Sequence, residues 1–186
     1  MTPYLNNILQ LEEIKPLIDN PTLIDAIEAG FVTYSEGKTN VPPVGFLHFD
    51  SPPGDIHIKY GAVLNDDIYV TKIVSAFYDN PNLDLPMSDG LVLVFNQKTG
   101  QLKLVLQDQG WLTEMRTAAA GAVVAKHLAP SHVSQIGIVG TGIQARFQLE
   151  FLKYVVDCKR CLIWGRSPKK VEQIIAELYE QESIKE

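Results

Sequence analysis

The chain has 186 residues, with 16 Lys and Arg against 22 Asp and Glu, a formal net charge of -6 and 46% hydrophobic residues. That is enough for one sizeable core, or for one and part of a second, and the acidic balance excludes partners that need a basic surface, nucleic acid and anionic membrane among them. Two cysteines cannot make a disulfide framework. The start MTPYLNNILQL lacks a signal peptide's basic and long apolar stretches, and the small apolar run from Ala118 to Ala125 falls far short of the roughly 20 residues that span a bilayer, so a cytoplasmic chain with no membrane partner is expected.

In chain order, a short helix is expected around Leu11, Ile14, Leu17 and Ile18. Asn20 is of capping type, Pro21 suits a first helical turn because its missing N–H would be unpaired there, and Leu23, Ile27, Phe31 and Tyr34 recur at helical spacing up to Gly37. The period then falls to two. Val44 to Phe49 and Asp55 to Val63 are strands separated by Pro52-Pro53-Gly54, the second alternating Ile56, Ile58 and Tyr60 against His57 and Lys59. Asp67 to Tyr78 is a third. Leu91 to Phe95 is apolar on both faces, which predicts a central strand, and Asn96 to Gly100 turns it back into Gln101 to Gln107 as a hairpin. Helices followed by an antiparallel or mixed sheet make an α+β layer.

From Trp111 to Leu128 the pattern is helical and Ala-rich, ending at Ala129-Pro130. Val133 to Val139 reads as a strand, Gly140 to Val156 as a glycine turn and helix, Arg160 to Trp164 as a strand, and Pro168 to Gln181 as an amphipathic helix. This βαβα order makes parallel strands, and two alone leave an edge open, so the chain is expected to stop inside a fold. The expected class is α/β: an α+β domain over 1–129, then an incomplete dinucleotide-binding Rossmann domain over 130–186.

Gly140-Thr141-Gly142-Ile143-Gln144-Ala145 lies between a predicted strand and a predicted helix, the setting in which G-x-G-x-x-G/A carries meaning. The first Gly permits the tight turn, the second a close approach to a pyrophosphate, and the Ala close packing of helix on strand, with the phosphates at the helix N-terminus. After the next strand, Trp164-Gly165-Arg166-Ser167 has no acidic residue for a ribose 2′-OH. Arg166 and Ser167, with Lys169 and Lys170 behind them, suit a 2′-phosphate, so the cofactor is NAD or NADP with NADP preferred. Arg116, in a helix otherwise small and apolar, needs an anion: a cofactor phosphate, a substrate carboxylate, or Glu114. Lys72 shares its strand face with Val70 and Val74 and either snorkels at an edge or projects into a polar cavity. Cys158-Lys-Arg-Cys161 has no second metal-spaced pair and is incidental. No metal is expected.

These residues resemble the ornithine cyclodeaminase and mu-crystallin family over essentially the whole chain. The resemblance is carried by Thr71-Lys72-Ile73-Val74 with Phe77-Tyr78, by Leu91 to Phe95 with the Gly100 turn, by Leu112-Thr113 and Arg116-Thr117-Ala118-Ala119, and by Gly137 to Ala145. It implies a substrate and dimerisation domain, a Rossmann domain, a homodimer formed through the first, and an active site in the cleft between them. It also implies that Lys72 is catalytic and substrate-binding, that Arg116 contacts substrate carboxylate or cofactor, and that Thr117, Gly140, Thr141, Gly142, Ile143, Gln144, Ala145, Arg166 and Ser167 face the cofactor. The activity implied is an NAD(P)-dependent conversion of L-ornithine to L-proline and ammonia by hydride removal, cyclisation and hydride return. Reductases of ketimines or pyrroline-2-carboxylate and amino-acid dehydrogenases run half of that cycle, and mu-crystallin-like members can be non-catalytic binders. Pro42-Pro43-Val44-Gly45 lacks the family's carboxylate-clamping Arg, and Lys59 or His57 is expected to take over the small amino-acid or cyclic-imine substrate's carboxylate. Family chains also continue through the rest of the Rossmann sheet and an acid/base Asp, so this one is expected to be a fragment.

Overall fold

The computed structural model describes residues 7–180 and divides the chain into two compact units, 1–18 with 30–112 and 19–29 with 113–186. The division expected after Ala129, where the parallel strands begin, is a different one: here the Ala-rich helix groups with those strands.

The first unit is built on a seven-stranded mixed sheet. Its strands are β1 (Ile8–Gln10), β2 (Thr39–Asn40), β3 (Gly45–Asp50), β4 (Pro53–Val63), β5 (Ile68–Phe77), β6 (Ser88–Asn96) and β7 (Leu102–Gln107), ordered β1-β7-β6-β5-β4-β2 with β3 also on β4. Only β1 on β7 is parallel; the other pairings are antiparallel. The all-apolar run Leu91–Phe95 is central, as its lack of a polar face requires. β1 and β2, three and two residues long, carry no readable period and exist because a neighbouring strand offers its edge. The expected helix over residues 11–18 is shorter. It is α1 (Leu11–Ile14) followed by a 3-10 turn at Lys15–Leu17, because Pro16 has no N–H to continue the ladder.

Register sorts the sheet into two faces, since paired residues point the same way. One carries Ile56, Ile58, Ile73, Leu91, Leu93 and Val105; the other carries the row Lys59, Lys72, Val92, Leu106. Leu47, Tyr60 and Leu102 leave the first face 54%, 43% and 38% exposed.

Helices α2 (Asn20–Ser35) and α3 (Trp111–Leu128) each belong partly to both units. The cap of α2 is Asp19, one residue before the expected Asn20: its Oδ2 accepts the Thr22 N–H at 3.0 Å, while the Asn20 amide donates to Glu150 at 2.9 Å. At the other end Gly37 takes φ +69°, and Lys38 N–H donates to Thr33 C=O, a Schellman close. Asp108 caps α3, its Oδ2 accepting the Leu112 N–H at 2.9 Å.

The second unit holds β8 (Ile136–Val139), α4 (Ile143–Leu152), β9 (Cys161–Trp164) and α5 (Pro168–Glu180), with β8 and β9 parallel. The last residue expected in α5, Gln181, lies outside the described residues. Alternation decides which strand face is covered. Ile136, Ile138, Cys161 and Ile163 pack on Ala145, Leu149, Ile174 and Leu178 of the two helices, whereas Val139, Leu162 and Trp164 on the opposite face are 82%, 60% and 60% exposed. Ala118, Ala119 and Ala122 of α3 are fully buried.

Candidate functional site

In the second unit the glycine turn lies where β8 hands over to α4. Gly140 takes φ +125°, a conformation that β-carbons disfavour, so the chain can reverse there only because the residue is Gly. A β-carbon at Gly142, in ordinary extended backbone, would meet nothing within 4 Å. The turn lines a cavity of about 560 Å³ together with Trp164, Gly165, Arg166, Ser167 and Lys170. The lining includes two cations and no carboxylate. An open glycine cradle, helix amides without intrahelical acceptors and a cationic rim fit a phosphorylated dinucleotide. Gly165 keeps the two turns close: a β-carbon there would come within 2.7 Å of Thr141 Cγ2. Cys161 contributes packing, burial raising its thiol pKa above the ordinary value, and both cysteines are free.

The expected residues of this unit take distinct roles. Ala145 is buried against the strands, while Ile143 is exposed beside the turn. The Gln144 side chain turns away from the turn and donates to Glu114, both to its carboxylate and, at 3.2 Å, to its backbone carbonyl. Gln148 donates to Gln144 at 3.1 Å and to the Thr117 carbonyl at 3.3 Å, fastening α4 to α3. Gly121 leaves room for this link, since a β-carbon there would fall 2.1 Å from Gln148 Oε1. The Thr117 hydroxyl donates to the Thr113 carbonyl at 2.7 Å. With Glu114 engaged by Gln144, the salt bridge to Arg116 weighed from sequence does not form; Arg116 is exposed and forms no ion pair among the described residues.

In the first unit, Lys59 and Lys72 stand directly opposite each other on adjacent strands and one sheet face, Lys59 exposed and Lys72 half-buried. Like charges so placed repel. His57, two residues along the same face, is 3.2 Å from Asp55 and edge-on to Phe46. The Tyr78 hydroxyl donates to the same Asp55, which raises the Tyr78 pKa above its ordinary value.

Sequence reasoning passed over Arg146, Gln148 and Glu177. Arg146 directly follows the motif and lies one helical turn after Gly142, a spacing that could have singled it out. Among the described residues no group of His, Cys, Asp and Glu is placed to hold a metal, and no helix is long and apolar enough to cross a membrane.

A parallel strand, a glycine turn opening a helix and a second parallel strand ending in a basic turn define a Rossmann-type βαβα unit, here preceded by an α+β unit. The chain belongs to the ornithine cyclodeaminase/mu-crystallin family, whose model matches residues 5–185. It is 36% identical over 138 residues to an uncharacterized cyclodeaminase of Sinorhizobium fredii, a match covering 74% of this chain and 42% of the relative. A pyrroline-2-carboxylate reductase from Thermococcus litoralis, solved with NADH and L-proline, superposes with a TM-score of 0.89 at 27% identity, over 96% of this chain and 55% of that one. An archaeal alanine dehydrogenase dimer with bound NAD gives 0.87 at 30% identity, over 94% and 53%. The chain thus spans about half the length of the relatives it matches.

Proposed function

We propose that the chain serves an NAD(P)-dependent enzyme of small amino acids or cyclic imines, in the first instance an ornithine cyclodeaminase-like conversion of L-ornithine to L-proline and ammonia. The observation that carries the dinucleotide reading is the open Gly140 to Gly142 turn, joined in one cavity to Arg166, Ser167 and Lys170. A bound nicotinamide cofactor supplies the hydride acceptor and donor. The amides of Gly142, Ile143 and Gln144 bind its pyrophosphate, with Ala145 letting the helix approach and Thr141 closing the turn. Arg166 and Ser167 take the 2′-phosphate of NADP. Lys72, as the catalytic cation, and Lys59 opposite it hold the substrate carboxylate in place of the missing Arg, with Arg116 and Thr117 serving substrate or cofactor from α3. A homodimer forms through the first domain, for which the exposed Leu47, Tyr60 and Leu102 offer an apolar face.

The runner-up is a pyrroline-2-carboxylate reductase or amino-acid dehydrogenase, favoured by the likeness to the Thermococcus enzyme. Calorimetric titration with NADPH and NADH, followed by assays with L-ornithine and with pyrroline-2-carboxylate, separates the readings. A cyclodeaminase releases ammonia with no net change in nicotinamide absorbance, whereas a reductase consumes NAD(P)H stoichiometrically. NADPH binding weakened about tenfold or more in Arg166→Ala, with NADH unchanged, is expected from the loss of a charged phosphate contact. Equal effects on both would reject the 2′-phosphate assignment, and no binding of either would reject the dinucleotide reading.

A further inference from the structure

Arg146 leaves the first turn of α4 and folds back under the glycine turn. Its Nη1 donates to the carbonyl of Thr141 at 2.9 Å and to that of Gly142 at 3.2 Å. Its other edge is gripped from α5: Nε and Nη2 lie 2.6 and 2.5 Å from Glu177 Oε2, and the Gln173 amide donates to Glu177 Oε1 at 2.9 Å. These contacts hold the Glu177 carboxyl below its ordinary pKa, Gln173 contributing most and Arg146 next. The guanidinium is therefore fixed on one side by a carboxylate and satisfies two turn carbonyls on the other, a use of its planar fork that a lysine cannot copy in full.

The consequence lies in peptide geometry. In a planar trans peptide the C=O and N–H point to opposite sides. The Thr141 carbonyl shares its plane with the Gly142 N–H, and the Gly142 carbonyl with the Ile143 N–H. Holding both carbonyls toward Arg146 aims both amides the other way, out of the helix N-terminus. The Gly142 carbonyl also accepts the Ala145 N–H at 3.1 Å, so the plane carrying the Ile143 amide is held twice, whereas the plane carrying the Gly142 amide would rotate at little cost about Gly142 without the Arg146 contact to Thr141.

We propose that Arg146, braced by Glu177, is a positioning residue that presets the Gly142 and Ile143 amides for a pyrophosphate without touching it. This rests on the dinucleotide reading above, and it adds a device that links α5 to the binding turn: preset donors lose less freedom when the anion arrives. The effect is specific to the phosphate portion of the ligand and leaves recognition of the nucleoside unchanged.

The test uses the full chain labelled with 15N, comparing wild type with Arg146→Met, Arg146→Lys and Glu177→Gln. Without ligand, Arg146→Met is expected to shift the Gly142 and Ile143 amide resonances and lower their order parameters, Arg146→Lys to restore part of this, and Glu177→Gln to give a smaller change of the same kind. With ligand, Arg146→Met weakens ADP about tenfold and leaves adenosine unchanged, judged by quenching of Trp164 beside the turn. Gly142 and Ile143 amides unmoved in Arg146→Met, or equal losses for ADP and adenosine, would overturn the proposal. Failure of wild type to bind NADH, NADPH or ADP would instead sink the dinucleotide reading, and the ligand-free amide spectra then decide the brace by themselves.

Discussion

Two glycines two residues apart in the same turn are expected to respond to alanine in opposite ways. Gly140 holds φ +125°. A β-carbon there meets no atom, so the cost of Gly140→Ala is backbone strain alone, about 1–3 kcal/mol for an L-residue held in such a region. At about 2–4 °C per kcal/mol for a chain of this size, thermal unfolding moves down by several degrees. Gly142 has φ -82° and ψ -174° as the N-cap of α4, a conformation open to any residue. Ala at an N-cap is poorer than Gly, but replacing Gly also reduces the freedom of the unfolded chain, and these opposing effects of about 0.5–1 kcal/mol each nearly cancel. Gly142→Ala is therefore expected to leave the melting temperature within about 2 °C of wild type. Its new methyl enters the open space that a pyrophosphate would approach, so NADH or NADPH affinity falls about tenfold or more, near 1.4 kcal/mol. Differential scanning calorimetry and calorimetric titration on both variants make the comparison. Unchanged cofactor affinity in Gly142→Ala would refute the placement of the pyrophosphate, and unchanged stability in Gly140→Ala would refute the strain argument.

Ile174→Ala, at a side chain with no exposed surface between α5 and the parallel strands, should cost about 2–5 kcal/mol by lost burial and cavity formation; chemical denaturation followed by far-UV circular dichroism measures it, and a loss below 1 kcal/mol would mean that the site collapses freely. Glu28 offers a test against pH. Lys126 Nζ lies 2.6 Å and His127 Nε2 2.5 Å from its carboxylate oxygens, and these contacts hold its pKa below the ordinary 4.5. A depressed carboxyl contributes stability above its unfolded value and loses it as pH falls through its folded one. Glu28→Gln should thus be less stable than wild type at neutral pH, with the gap closing as pH falls below 4.5; a gap independent of pH would place the effect elsewhere.

Much of the fold was legible because its residues carry local instructions. Alternation announced β4 and β7, the unbroken apolar run marked β6 as central, and the Gly140 to Ala145 spacing located the glycine turn between strand and helix. Each is a property of neighbouring residues and needs no partner to be read. β1 and β2 could not be foreseen from so few residues, whose extended form is imposed by the strand alongside. The cap of α2 shifted to Asp19 because Asn20 is drawn to Glu150, a residue far along the chain.

Residue type and spacing alone carry the family, the order of the longer elements and the identity of the chemically able side chains. Which of them meet is set by strand register and helix packing. Register, fixed by the pairing of two whole strands, set Lys59 opposite Lys72. Packing of α4 on α3 gave Glu114 to Gln144 and left Arg116 without an ion pair among the described residues. The approach of α5 to α4 put Glu177 on Arg146, 31 residues away, and no local pattern encodes a contact that exists only once two helices share a core.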